Sequence, residues 1–305
     1  MKMTYKFIGL VIPALLLAGC GQDQPASEEE VVVEEQEVNE QTVMAYGRFA
    51  PEREDDFTWE NDKVAFRVYG PNSSGVGPVS GVDPWFKKVD YPIIDKWYAE
   101  HLQGKSYHVD HGEGHDIYHV GSSRGVGGTA IWVDGAAYPA AMFKSYEVQR
   151  SGGDVVEFTL QYEWDTPLGA VAESKTISLA LGTQLYQVNS VFTLDGEPAS
   201  LPIAIGLSTH DEAARVFSNR ETGRISTWEV MEGNGVGTGV LMAPERIRNI
   251  LHTASEEKDA SHIWLVTSSS DDGALTFSAG FAWQAAGDIT SIDQWNNYLD
   301  SAAGR

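Results

Sequence analysis

The 305-residue chain has one cysteine, Cys20, no apolar run long enough to span a bilayer comfortably, and few basic residues: 21 Lys and Arg stand against 44 Asp and Glu. Each shortage excludes something. With Cys20 at the end of a leader-like segment, the rest of the chain has no disulfide, no thiolate nucleophile and no cysteine ligand for a metal. A formal net charge of −23 argues against nucleic acid, whose phosphates are held by basic patches. It also obliges an anionic ligand to find a local group of cations within a repulsive overall field. Neither G-x-x-x-x-G-K-[ST] nor H-E-x-x-H occurs, which leaves out a P-loop nucleotide site and the helical zinc-protease pattern. A Pro/Ser-rich linker and a fixed-period repeat are also missing, so the long C-terminal part reads as one domain.

At the N-terminus Lys2 and Lys6 precede the apolar run Phe7–Leu17, which ends Leu17-Ala18-Gly19-Cys20. A basic start, a short apolar segment and small residues before a cysteine describe an export signal. The ending resembles a bacterial lipoprotein box, which implies lipidation of Cys20 and attachment to the membrane through lipid. The expected location is the periplasm or cell surface, and Gly21 after the cysteine is compatible with outer-membrane sorting. Gly21–Glu40 holds one Asp, seven Glu and no Lys or Arg, too polar a tract to fold alone. The expected organisation is a signal over residues 1–20, an acidic tether over 21–44 and a single domain over 45–305.

Within that domain apolar residues alternate. Val156, Phe158, Leu160, Tyr162 and Trp164 share one parity, as do Ile177, Leu179 and Leu181, and Val188, Phe192 and Leu194. Period-two patterning predicts strands with one buried face. Asp134-Gly135, Ser151-Gly152-Gly153-Asp154, Leu181-Gly182 and Asp195-Gly196 mark the turns between them. Further strands are expected at Leu201–Ser208, Ile225–Met231, Thr238–Met242, His262–Thr267 and Ala274–Ala282. Helices are expected only near Ile93–His101 and Ser291–Leu299. Many strands and few short helices predict a mainly β fold, a large antiparallel β-sandwich. The strand Lys63–Tyr69 should set Arg67 and Tyr69 on one face, where they could line a concave surface.

The densest chemistry lies in YHVDHGEGHDIYHVGSSRGVGGTAIW, from Tyr107 to Trp132. It contains His108, His111, His115 and His119, with Asp110, Glu113, Asp116, Tyr118 and Arg124 among them. Histidine exchanges protons near neutral pH and also ligates metals. Six glycines in the run predict loop for much of it. His119 falls in a short apolar stretch, Ile117–Val120, that reads as a strand and suggests a structural role. A metal is the competing use of the cluster: His108-x-x-His111 with Asp110, Glu113 and His115 offers ligands for Zn²⁺ or Ca²⁺.

Several long segments resemble a family of exported bacterial proteins catalogued as a domain of unknown function. They are DFTWENDKVAFRVYGP (Asp56–Pro71), DYPIIDKWY (Asp90–Tyr98), YHVDHGEGHDIYHVG (Tyr107–Gly121), SRGVGGTAIW (Ser123–Trp132) and FAWQAAGDITSIDQWNNYL (Phe281–Leu299). His115 stands where the pattern leads one to expect an apolar residue. The resemblance implies a β-sandwich like those of galactose mutarotases and some polysaccharide lyases. It also implies action on uronic-acid polysaccharides such as pectin or ulvan, since members occur beside enzymes degrading these and one group resembles ulvan-oligosaccharide dehydratases. Such β-elimination gives a 4,5-unsaturated uronate and requires no cofactor. It needs a cation or donor for the carboxylate, a base for C5–H and an acid for the C4 oxygen. Arg67, Lys88, Lys96 and Arg124 are the candidate cations, and Arg suits a bidentate grip. His108 or His111 is the candidate base and Tyr118, Tyr98 or Tyr69 the candidate acid, with base and acid not decided between His and Tyr. Trp97 and Trp132 are candidate sugar platforms. A mutarotase or epimerase, or a non-catalytic glycan-binding lipoprotein, remains the alternative. The sequence leaves oligomeric state open.

Overall fold

The computed structural model describes residues 42–73 and 80–303. The signal with Cys20, and the tether as far as residue 41, lie outside the described residues. The described chain is built mainly from three antiparallel sheets. The first takes its five strands in chain order: Tyr46–Ala50, Asp56–Glu60, Ala65–Val68, Asp83–Lys87 and Gly114–His115. The second has nine strands around the long run Val155–Thr166, Gly169–Ala180, Leu185–Leu194 and Ala274–Trp283. The third has five, in the order Asn249–Thr253, His262–Ser268, Pro202–Ser208, Val126–Val133 and Ala136–Tyr138.

Alternation explains how these layers meet. In the large sheet Val156, Phe158, Leu160 and Tyr162 point inward, as do Tyr186, Val188 and Phe192 and then Leu275, Phe277, Ala279 and Phe281. Phe57 and Trp59 of the first sheet pack on Phe158, and Phe66 meets Tyr186 and Phe281 edge-on. The third sheet closes on the same core with Val126, Ile131, Ile203, Ile205 and Leu207. Tyr186 ties the layers by donating its hydroxyl to the Val126 carbonyl at 2.5 Å. Each fully buried large side chain contributes about 1.5–3 kcal/mol by leaving water. The architecture is therefore a sandwich, with both five-stranded sheets covering one face of the nine-stranded sheet.

The two smaller sheets join at a seam. Val82 bridges Gly125 in parallel, and the Val126 N–H donates to the Val82 carbonyl at 2.9 Å. Gly125 sits at φ +52°, and a Cβ there would lie 2.1 Å from the Val82 oxygen. Only glycine fits. The SRGVGG segment thus turns the chain from one sheet into the next.

Two α-helices sit outside the layers. Helix α1, Ile94–Leu102, covers the first sheet with Ile94, Trp97 and Tyr98. No neighbouring side chain caps its N-terminus, but Glu60 from the sheet accepts the Ile93 and Ile94 N–H groups at 2.9 Å. Helix α2, Ile292–Ala302, lies on the outer side of the large sheet with Trp295 over Gly237 and Leu299 over Gly239. Among the described residues no helix is long and apolar enough to cross a membrane.

Two local expectations change. Ile117–Val120 is not a strand. Its backbone is held by side chains instead, the His119 carbonyl accepting from His210 at 2.8 Å. The strand Ala65–Val68 is buried on both faces, because α1 and its loop cover the side the alternation leaves for solvent. Arg67 is only 3 % exposed, so it does not line an open concave surface.

Candidate functional site

Most of the chemistry-bearing residues between Lys88 and Gly114 clasp α1 to the following loop. Lys96 reaches Glu113 at 2.6 Å, and the Trp97 indole N–H donates to the same carboxylate at 3.2 Å. Lys88 pairs with Asp110 at 2.6 Å, and the other Asp110 oxygen accepts the Gly112 and Gly114 N–H groups. These contacts hold the Glu113 and Asp110 carboxyls below their ordinary range against the opposing effect of burial. His108 and His111 are both exposed, and they bond the carbonyls of Asp116 at 2.7 Å and Ser106 at 3.1 Å. His115 is buried against Phe86 and Trp283. Among the described residues no three His, Cys, Asp or Glu side chains come together as a metal-holding group; Asp110, Glu113 and His115 go to different partners.

Beneath the clasp lies a buried acid cage. Arg67 donates to Asp83 at 2.5 Å and to Asp116 at 3.1 Å, with Asp56 at 3.9 Å. Its guanidinium also lies over the Tyr69 and Trp85 rings, each 5.1 Å away. The cage has no opening to solvent: Asp56, Asp83 and Asp116 are each at most 2 % exposed. Burial pushes Asp56 up to about 6 despite the nearby Arg67. Asp83 and Asp116 are also raised by burial and by crowding of like charge, with Arg67 opposing. Tyr98 is buried alongside, its hydroxyl without a partner. The cage orders the first sheet and α1.

A pocket of about 280 Å³ opens on the outer face of the third sheet. Arg124, Trp132, His262 and Trp264 line it together with Ser122 and Thr253. The rings are layered: His262 stacks on Trp264 at 4.6 Å, and Trp132 meets Trp264 at 5.5 Å. Trp132 is half-buried and so presents part of its face, whereas Trp264 is 5 % exposed and supports it. Arg124 crosses the strand Pro202–Ser208 over Gly206, where a Cβ would lie 2.8 Å from its Cγ and 2.7 Å from Trp264. The Arg124 guanidinium donates to the Ser80 hydroxyl at 2.9 Å and to the Ser122 carbonyl at 3.1 Å. Burial lowers its pKa to about 10, with Tyr162 acting the other way. His262 accepts the Arg124 backbone N–H at Nε2, 3.0 Å, and its Nδ1 faces the Ala260 carbonyl at 3.2 Å. Both ring nitrogens are therefore engaged, and burial holds His262 neutral down to about 4. It positions Arg124.

Beside the pocket two imidazole–carboxylate pairs meet an unusual turn. His210, Asp211 and Glu212 all have positive φ, at 45°, 55° and 70°. Left-handed backbone costs about 1–2 kcal/mol per non-glycine residue, so the surroundings must enforce it. Ser261 accepts the Asp211 N–H at 2.8 Å, and Thr209 donates to Glu212 at 3.0 Å. The turn aims His210 at Glu229, 2.6 Å away, and Glu212 at His252, 3.0 Å away. Burial disfavours charge on His210, but the Glu229 carboxylate and the His119 carbonyl outweigh it and raise its pKa. Tyr118 packs against His210 with centroids 4.4 Å apart, its buried hydroxyl without a partner. Next to the pocket wall, His119 Nε2 lies 2.9 Å from Asp259.

Of the residues singled out from the sequence, Arg124 and Trp132 share the pocket, and Tyr118 lies by the adjoining turn. Arg67, Lys88, Lys96, Trp97, Tyr98, His108 and His111 belong to the cage and clasp, and Tyr69 lies over Arg67. Trp264 and Asp259, more than 100 residues beyond the motif, carry no sign in the sequence, and His252 and His262, without motif context, read there as structural.

A family model described as a domain of unknown function, DUF4861, matches residues 17–305. The chain belongs to that family. It is 37 % identical over 273 residues to "Uncharacterized protein P7" of Formosa agariphila, covering 85 % of this chain and 67 % of that relative. Among solved structures it is similar to the GH36 alpha-galactosidase AgaB from Geobacillus stearothermophilus, with TM-score 0.39, 7 % identity and coverage of 83 % of this chain and 43 % of that one. It is also similar to a 4-alpha-glucanotransferase from Thermococcus litoralis, with TM-score 0.34, 9 % identity and coverage of 79 % and 40 %. The DUF4861 chain spans less than half the length of these two solved chains.

Proposed function

We propose that this member of the DUF4861 family is a carbohydrate-active lyase or dehydratase. In this reading it binds a uronate-containing oligosaccharide of the ulvan or pectin type in the pocket of the third sheet. Loss of water or an alkoxide from C4 then leaves a 4,5-unsaturated uronate. One observation carries the binding part: a partly exposed tryptophan, Trp132, packed at a tilt against Trp264, shares a pocket with the buried Arg124. An aromatic face suits the C–H face of a sugar, and a guanidinium suits its carboxylate. In a chain of net charge −23 this cation acts from just behind the pocket wall, 2 % exposed, as a local positive field that the overall charge does not provide. The elimination part draws on the family resemblance in the sequence. The enzyme would work outside the cytoplasm, held to the outer membrane by lipid on Cys20, and would require no metal.

The test is ultraviolet absorbance of the conjugated product when the protein from Ala45 onward is incubated with ulvan, pectin, alginate and glycosaminoglycan oligosaccharides, with and without chelator. Absorbance should rise on one of these substrates, and Trp132→Ala should raise KM about tenfold, the equivalent of ~1.4 kcal/mol of lost stacking. A glycan-binding role without chemistry is the second reading, supported by His262 having neither ring nitrogen available. Tight binding with no absorbance change across the whole panel would establish that role instead.

A further inference from the structure

We infer that His119, held by Asp259, is the proton-transfer residue of this pocket, an assignment that rests on the elimination reading above. Asp259 divides its carboxylate between two tasks. Oδ1 meets His119 Nε2 at 2.9 Å, and Oδ2 accepts the backbone N–H of Ser122, a residue of the pocket wall, at 3.0 Å. The next residue, Ala260, also lines the pocket. The carboxylate therefore fixes the imidazole to the rim.

The local backbone is shaped around this pair. Gly121 lies at φ +49°, and a Cβ on it would fall 2.0 Å from Asp259 Oδ2 and 2.8 Å from His119 Nε2. Asp259 has a positive φ of 66°, and its own N–H donates to Asp211 of the left-handed turn at 3.1 Å. Two strained positions and a glycine thus converge on one imidazole–carboxylate contact. The His119 side chain is 52 % exposed. With Nε2–H donated to the carboxylate, Nδ1 keeps the lone pair on a ring that is half exposed and is the nitrogen left to act as a base. His262 and His210 have both nitrogens bonded, and so do not compete for the role.

The chemistry balances with no added reactant. Nδ1 of His119 takes the C5 proton, and the C5–H electron pair becomes the C4=C5 double bond. The C4–O bond breaks with its electrons on oxygen. The imidazolium returns the proton to that oxygen, which leaves as water or an alcohol, and His119 is restored. Asp259 stabilises the transient imidazolium.

The experiment compares wild type, His119→Gln, Asp259→Asn and Trp264→Ala, using a glucuronate-terminated disaccharide as the probe. His119→Gln should lower kcat at least 100-fold with less than threefold change in Kd for the probe. Asp259→Asn should lower kcat about tenfold or more and displace the acidic limb of the pH–rate profile. Trp264→Ala should weaken binding first. Full turnover by folded His119→Gln would overturn the assignment. The ¹⁵N resonances of the His119 ring are followed during the same titration. If the wild type binds without turnover, the elimination reading falls, and a base role falls with it. A ring shift would then keep His119 as a ligand contact, and its absence would remove it from the site.

Discussion

Gly121 is where a single atom has the largest expected effect on the site. Gly121→Ala places a methyl on the Asp259 carboxylate and in a left-handed conformation. The expected result is a stability loss of about 1–3 kcal/mol with a drop in turnover well beyond what partial unfolding explains. Gly104→Ala is the matched control, since Gly104 also has positive φ but no atom within 4 Å of a new Cβ. It should lose a similar backbone increment and retain activity. Activity in Gly121→Ala equal to that control would mean the His119–Asp259 contact is dispensable. Arg124 and Trp132 were legible in the sequence because both fall in Ser123–Trp132, one of the segments that carry the family resemblance. Asp259 and Trp264 were not: an Asp in a polar loop and a Trp in an apolar strand carry no local sign of what they meet. His119 was misplaced for a physical reason, since hydrophobic neighbours suggested a strand where side-chain bonds hold a loop.

Helix α1 shows how an element can depend on a residue far from it in sequence. Glu60 caps its first N–H groups while binding Lys87 at 2.7 Å, and both side chains are fully buried. Glu60→Gln should cost about 3–5 kcal/mol, because it leaves the Lys87 charge without its counterion in the interior. The double variant Glu60→Gln with Lys87→Met should be less destabilised than the sum of the two single changes, as denaturant midpoints would show. Strict additivity would mean the pair is not coupled. The element boundaries themselves were largely readable. Both helices and the strands with one wet face fall where the periodicity placed them, within one to three residues. The first sheet was harder, since its inner strands are buried on both faces and carry Asp, Glu, Arg and Lys inside. Asn234–Leu241 begins earlier than expected because its glycines, which admit Trp295 and Leu299, erase the apolar alternation.

At the scale of the whole molecule the buried acids and His210 set how stability follows pH. Asp56 ionises at about 6 when folded against an ordinary 3.8, so the fold binds its proton more tightly than the unfolded chain. That contribution is present at low pH and is lost as pH rises through about 6, a change of roughly 3 kcal/mol for a shift of this size. His210 acts in the same direction: its pKa is raised above 6.5, so its stabilisation holds below that value and is lost above the folded pKa. Asp110, Glu113 and Asp300 have lowered pKa values and act oppositely, losing their stabilisation in more acidic solution. The thermal midpoint should therefore peak near pH 5 and fall toward pH 8. Asp56→Asn should flatten the falling side, and a midpoint still rising at pH 8 would refute the buried-acid account. The distance along the chain between the two halves of the site has a consequence for biosynthesis. His119 and Asp259 are 140 residues apart, and Arg124 meets His262 across 138. A ribosome releases the first of these long before the second. No partly emerged chain can hold the finished pocket, so the pocket must form at once, after the last strands have closed, and never by degrees.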